Sequence, residues 1–537
     1  MFKNWLFCLI TCLYFTVQAQ EKVDCIFYNA HIFSFETMQE VAQAMAVKQG
    51  KIIALGSNQT IKNQYQAKQT INLNQAYVYP SWTDAHGHLS GLGIVASQPD
   101  LRTATSMQEI LAICNKSAQN HTAKYIKGWG WNQENFSDKM IPSNDLLNQK
   151  FPTTPVFLKR VDGHAALVNQ ATLKLAGISD TCTRFGNLMV KVNGKATGLL
   201  FDAAADTVEK YLNTLDRKTQ IAALLRAQSI CFDYGIGMVH DAGIDLPTLH
   251  LIDSLQEVGL LKIRINAMLY LTDTAFAFLN KYGPIHKSKL QVIGFKLLVD
   301  GALGSRGACL KQPYSDQQHW YGSFLQSPDL FSDWIHRVAS SSFQLSTHAI
   351  GDSANSFVIT KYAQALPKHI QRRWRIEHAQ VLDSNLFPYL DGKNILPSIQ
   401  PVHAFSDHLW VHNRLGSSRM QYAYAYGKML NYAGNIAIGT DFPVESPNPL
   451  QNYWAALGTF KDGNLAASNY FINSQQAFKG MTLWPAYAAF LENEMGELTK
   501  GKWADFTVYS SNLIALSANQ LKDLKPIQLF ISGEKVK

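Results

Sequence analysis

Eight apolar, strand-like runs recur through the middle of the 537-residue chain, and helical patterning fills most of the stretches between them. They are "AYVYPSWTDAHGH", "GIGMVHDAG", "KIRINAMLYL", "LQVIGFKLLVDG", "SFQLSTHAI", "RWRIEHAQV", "NILPSIQP" and "NIAIGTDFPV". Strands that are joined by helical crossovers pair in parallel and are covered on both faces, so they read as apolar runs bounded by helices. Eight such units in succession fit an α/β fold of the (β/α)8, or TIM-barrel, type. Barrels of this type build their active sites at the C-terminal ends of the strands.

The strand ends carry a consistent chemistry. The first run ends with Asp84, His86 and His88, and the two histidines, two residues apart, share one face of an extended strand. The fourth carries Lys296 with Asp300 after it, the fifth ends at His348, the sixth contains Glu377 and His378, and the eighth ends at Asp441. Imidazole and carboxylate suit zinc and related divalent metals. Read singly, each residue has a plain structural alternative: a polar strand end for each histidine, a buried ion pair with Asp300 for Lys296, a cap on the next segment for Asp441. Their shared position at one end of different strands favours a metal centre. A lysine buried there has a depressed pKa, and its neutral amine can take up carbon dioxide as a carbamate that bridges metals like a carboxylate. Strict alternation turns Glu377 away from His378, to a structural role.

Outside this region the pattern changes. "DCIFYNAHIFS" and "AMAVKQGKIIALG" read as antiparallel strands, and "KWADFTVYS" and "IQLFISGEKVK" return to that style at the C-terminus, so one small β domain draws on both chain ends. The stretch from about 95 to 230 is far longer than one crossover helix needs, which predicts an inserted lobe between barrel strands 1 and 2. The opening "MFKNWLFCLITCLYFTVQAQEK" has Lys3 as the one charge in its first 19 residues, then a short apolar run that ends at Val17-Gln18-Ala19, the pattern of a secretory signal peptide cut after Ala19. The expected organisation is a signal peptide over 1–19, β-domain halves over 20–79 and 485–537, and the barrel over 80–484. The expected location is secreted or periplasmic, without a stable membrane anchor. Five cysteines remain after the signal, widely spaced and without a C-x-x-C pair, so neither a disulfide framework nor a thiolate metal site is indicated. Net charge is +8, but the basic residues are scattered, which argues against nucleic acid as a partner.

With "DAHGHL", "RVDGHAALVN", "TGLLFD", "FKLLVDGALGSR", "STHAIGDSAN", "RIEHAQVL", "IQPVH", "IGTDFPVESPNPL" and "GELTKGKWADFTV" in hand, the chain resembles the amidohydrolase superfamily, in its family 3 branch, which includes N-substituted formamide deformylases. The resemblance runs through nearly all of the mature chain. It implies a distorted (β/α)8 barrel beside a small β-sandwich, and a centre of two divalent ions, zinc being the expected metal. It carries over to His86 and His88 on one ion, His348 and His378 on the other, carboxylated Lys296 as the bridge, and Asp441 as ligand and proton shuttle. The chain departs from the family pattern at Ser81, at Gly87 where a hydroxyl residue is usual, at Asn132 of "GWNQ", and at Leu167, and the last two bear on substrate preference.

The implied activity is hydrolysis of an amide- or formamide-type C–N bond of a small-molecule substrate, with homodimer pairing left open. His164 and Arg306 are candidate substrate contacts, Arg306 for an anionic group, with a structural hydrogen bond and a salt bridge as their respective rival readings; His240 and His403 either line the pocket or support the ligands. The rival readings are a superfamily hydrolase acting on a peptide, ester or cyclic amide, a binding protein without turnover, and one-metal deaminase chemistry. Retention of Lys296 and Asp441 argues against the second, and Lys296 against the third.

Overall fold

The structure is a computed structural model and describes residues 20–537 except 36, 121–123, 213–215, 368 and 459–470. The signal-peptide expectation, 1–19, lies outside the described residues. All eight runs form strands of one parallel sheet: β1 (Trp82–Gly87), β2 (Ile236–Ile244), β3 (Arg264–Tyr270), β4 (Leu290–Leu298), β5 (Gln344–Ala349), β6 (Trp374–His378), β7 (Ile395–Ile399) and β8 (Ala437–Ile438). Each pairs with the next in sequence order. Helices Arg217–Asp233, Leu246–Glu257, Asp273–Tyr282 and Pro328–Ala339 precede β2 to β5 and open on capping side chains of Asp216, Asp245, Thr272 and Ser327. The distortion is visible between β6 and β7, where the crossover holds only the short 3-10 turn Phe387–Tyr389.

The sheet curls until β8 meets β1. β8 has only two residues in regular pairing, and the seam is finished by the segment after it. Asp441 N–H donates to His86 O at 2.7 Å and His88 N–H to Phe442 O at 2.8 Å. The buried Asp84 carboxylate accepts from Thr440 N–H (3.0 Å), the Thr440 hydroxyl (2.6 Å) and His86 N–H (3.1 Å). Asp84 is thus a seam residue, and burial pushes its carboxyl up to about 7. At Gly87 the seam leaves no room for a side chain: a Cβ there would lie 2.5 Å from the buried Phe442 ring. That contact accounts for glycine between the two histidines.

Between β1 and β2 in the chain lies a five-stranded mixed sheet, in the order Met189–Val192, Lys195–Phe201, Ala165–Val168, Val156–Arg160, Ile126–Trp131. Leu167 is fully buried in its core and does not line the cavity at the barrel mouth. The two chain ends share an eight-stranded sheet in which Phe506–Tyr509 runs antiparallel to Tyr77–Pro80 and the Phe27 ring packs edge-on against Phe506 and Phe530, with centroids 4.9 and 5.0 Å away. This sheet is tied to β3 by Arg264, whose Nε and Nη2 donate to the Asp505 carboxylate at 2.5 and 3.0 Å. The five described cysteines carry no disulfide, and all but Cys182 are buried.

Candidate metal centre

The mouth of the barrel collects His86 and His88 from β1, Lys296 from β4, His348 from β5, His378 from β6 and Asp441 from the segment after β8. All six line a single cavity of about 1130 Å³, shared with residues of the five-stranded sheet. His88 Nε2 is 3.1 Å from Asp441 Oδ1, His86 Nε2 is 3.6 Å from the same oxygen, and Lys296 Nζ is 3.3 Å from His86 Nε2. Among the described residues, two sets of donor atoms lie within metal-binding reach: His86, His88 and Asp441, and His378, His403 and Asp441. Asp441 belongs to both. The His348 ring sits 4.5 Å from that of His378, with its Nε2 turned toward Gly301 O (3.4 Å) and Asp300 Oδ1 (3.6 Å).

His403 was expected at the pocket wall or behind the ligands, and it falls among the donor atoms. It reaches the site because a helix, Pro401–Asp407, starts directly after β7 and presents His403 on its first turn. Its ring stacks on His378 at 5.8 Å and its Nε2 is 3.6 Å from Asp441 Oδ2. His378 and Asp441 adopt left-handed backbone angles, φ 70° and 61°, conformations that cost energy in residues other than glycine and that persist where the surroundings enforce them. At His378 this breaks the strand alternation, so Glu377 and His378 both face inward. The expectation that Glu377 points away from the site is corrected: its Oε2 is 2.5 Å from His86 Nδ1.

The other candidates divide. His164 lines the cavity, its Nδ1 2.8 Å from Asp202 Oδ1 and its ring 5.5 Å from that of His348. Asn132 also lines the cavity and accepts from Arg160 Nη2 at 3.0 Å. Arg306 does not: its guanidinium is paired with Asp316 at 2.9 and 3.2 Å, so the expected anion contact is corrected to a structural ion pair. His240 is fully buried behind the ligands and accepts from Arg375 Nη1 at 2.8 Å, which excludes substrate contact. Arg375 was missed as a supporting residue and Glu377 was read as structural without its contact to His86; a charged pair inside an otherwise apolar barrel strand was the available signal.

Electrostatics favour ligation. Burial, then the charge of Lys296, pushes His86 down to about 4, and burial also holds His348, His378 and His403 below the usual imidazole range. Neutral imidazoles carry the lone pair that a metal needs. Burial alone would raise Asp441, but the His88 hydrogen bond and the electrostatics of the surrounding imidazoles outweigh it and hold its carboxyl well below the usual carboxylate range. Burial brings the Lys296 ammonium down to about 8. His378 Nδ1 and His403 Nε2 are buried without a hydrogen-bond partner. Two such orphaned nitrogens beside an ionised carboxylate fit a bound cation.

A parallel eight-stranded barrel with clustered histidines and a shared aspartate at its mouth is the architecture of a metal-dependent hydrolase. The chain belongs to the amidohydrolase family, whose model matches residues 69–536. It is 31% identical to Protein LONG AFTER FAR-RED 3 of Arabidopsis thaliana over 91% of this chain and 87% of that protein. It is 30% identical to the putative amidohydrolase YtcJ of Bacillus subtilis over 96% and 99%, and 21% identical to N-substituted formamide deformylase of Arthrobacter pascens over 95% and 97%. The fold matches the crystal structure of an uncharacterized metal-dependent hydrolase from Pyrococcus horikoshii with TM-score 0.77 and 23% identity, covering 93% of this chain and 99% of that one. The family implies use of divalent metal, and the donor set described above is suited to it.

Proposed function

We propose that this hydrolase cleaves a non-peptide C–N bond of the amide or formamide type, using two divalent ions. His86, His88 and Asp441 would hold one ion, and His348 and His378 the other, with His403 adjoining. Lys296 as a carbamate would bridge them. The observation that carries this reading is the pair of adjoining donor groups sharing Asp441, with Lys296 Nζ 3.3 Å from His86 Nε2. The low Lys296 pKa leaves a fraction of neutral amine at neutral pH. That amine forms an N–C bond to carbon dioxide and releases one proton. Zinc is the preferred metal on ligand type.

When bound, the ions polarise the scissile carbonyl and lower the pKa of a water toward about 7. The chain's own residues do the rest. Asp441, ionised and inside the site, accepts a proton from that water on its carboxylate and passes it to the leaving nitrogen, base first and acid afterwards. The neutral histidines fix the electrophilic end of the site, and the cavity walls hold the remainder of the substrate. The formamide reading draws on the likeness to the formamide deformylase; an ester, peptide or cyclic amide substrate is the second reading. The opening sequence supports export to the periplasm or the medium. A panel of anilides tests the reaction class. Formanilide and acetanilide turnover with loss of activity on chelation is expected, whereas turnover confined to esters or peptides rejects the C–N assignment.

A further inference from the structure

Behind His86 lies a chain of buried polar groups that the reaction as described does not use. Glu377 and Arg375 are wholly buried, two residues apart on β6. Arg375 Nε lies 2.7 Å from Glu377 Oε1, and Arg375 Nη2 donates to Glu377 Oε2 at 3.0 Å. The same guanidinium donates to Ser398 Oγ on β7 (2.8 Å), to Ala85 O on β1 (2.6 Å) and to His240 Nδ1 on β2 (2.8 Å). One guanidinium thus fastens four strands of the barrel and holds the carboxylate that meets His86 Nδ1. Burying a charge pair inside a barrel carries a desolvation cost that an apolar pair would avoid. Its retention here needs a return other than stability.

We infer that Glu377 is a positioning residue for the metal centre: clamped by Arg375, it holds the proton of His86 on Nδ1 and so presents Nε2, lone pair outward, toward Lys296 and Asp441. An ionised carboxylate is acceptor-only, so the contact specifies which imidazole nitrogen carries hydrogen. A carboxylate on the far nitrogen also raises the basicity of a ligating histidine. Glu377 is placed to be that acceptor because Arg375 holds it from the other side, with Nε 2.7 Å from Oε1 and Nη2 3.0 Å from Oε2. The inference rests on the reading of His86 as a metal ligand, and it assigns to Glu377 no contact with substrate.

The test uses the full chain and two readouts. Zinc affinity is measured by competition with a chromophoric chelator, and the His86 tautomer is read from 15N–1H correlations of [15N]histidine-labelled, metal-free protein, with His86→Gln fixing the assignment. In the wild type His86 should appear as the Nδ1–H tautomer. Glu377→Gln retains the shape and one acceptor oxygen but sets an amide N–H₂ against Arg375; it should weaken zinc binding about 10- to 100-fold and add Nε2–H tautomer. Arg375→Lys keeps the positive charge without the fork and should give a smaller loss in the same direction. Wild-type affinity in a folded Glu377→Gln protein, or a His86 resonance that is Nε2–H in the wild type, overturns the inference. Wild-type protein that binds no zinc removes the metal reading and this inference with it, an outcome distinct from a Glu377→Gln variant that binds as the wild type does.

Discussion

Gly87 offers a sharp perturbation, because the barrel seam and the first two candidate ligands meet around it. A Cβ on Gly87 would sit 2.5 Å from Phe442 Cε1 and Cζ and 2.9 Å from Cε2. Ordinary carbon contacts are about 3.5–4.0 Å, so one partner must give by about 1 Å. Neither moves freely: Phe442 is fully buried, and its carbonyl accepts from His88 N–H at 2.8 Å. Overpacking of this kind costs about 1–3 kcal/mol. Gly87→Ala should therefore lower the denaturation midpoint by that equivalent, and zinc affinity should fall with it, since the displaced segment carries His86, His88 and Asp441. Phe442→Leu should relieve the clash, so the double variant is expected to recover more than the two single effects predict, with a coupling of about 0.5–3 kcal/mol. Urea titration of the four proteins, with chelator competition on each, completes the cycle. Strict additivity, or a Gly87→Ala protein as stable and as tight for zinc as the wild type, would refute the reasoning.

Three further outcomes are expected. Arg306→Ala should leave KM for neutral and carboxylate-bearing anilides unchanged in steady-state assays, because its guanidinium is committed to Asp316 outside the cavity; a selective rise for the carboxylate series would contradict that. Asp505→Ala leaves Arg264 buried without its carboxylate and should destabilise the chain by about 3–5 kcal/mol, read as a lowered denaturation midpoint. Asp441→Asn should abolish anilide turnover beyond what its metal loss explains when activity is normalised to bound metal, because it removes the group that moves the proton.

The barrel was legible because each of its strands is a contiguous apolar run, and histidines at strand ends advertise themselves. Lys296, His86, His88, His348, His378 and Asp441 all reach the mouth as strand order implies. What escaped the sequence depends on local backbone or on partners far along the chain. Strict alternation turned Glu377 outward, and only the left-handed φ of His378 brings both residues in. For Arg306 the salt-bridge reading holds, and spacing could not select it because the acceptor, Asp316, lies ten residues on across a loop. His403 sits in a helix rather than at a strand end, so its place beside His378 follows from the tight β7 turn. Leu167 seemed to bear on substrate but belongs to a core that periodicity could not assign to one cavity or another.

The most direct measurement of the central claim is metal stoichiometry by inductively coupled plasma mass spectrometry, on wild-type and Lys296→Ala protein reconstituted with zinc and freed of excess. The account predicts about two ions per chain in the wild type, the stoichiometry of a two-metal hydrolytic site. It predicts a clear fall in Lys296→Ala, with anilide turnover lost in parallel and lost from the wild type on chelation. Metal-free wild-type protein that remains active, or Lys296→Ala protein with undiminished metal and turnover, would contradict it.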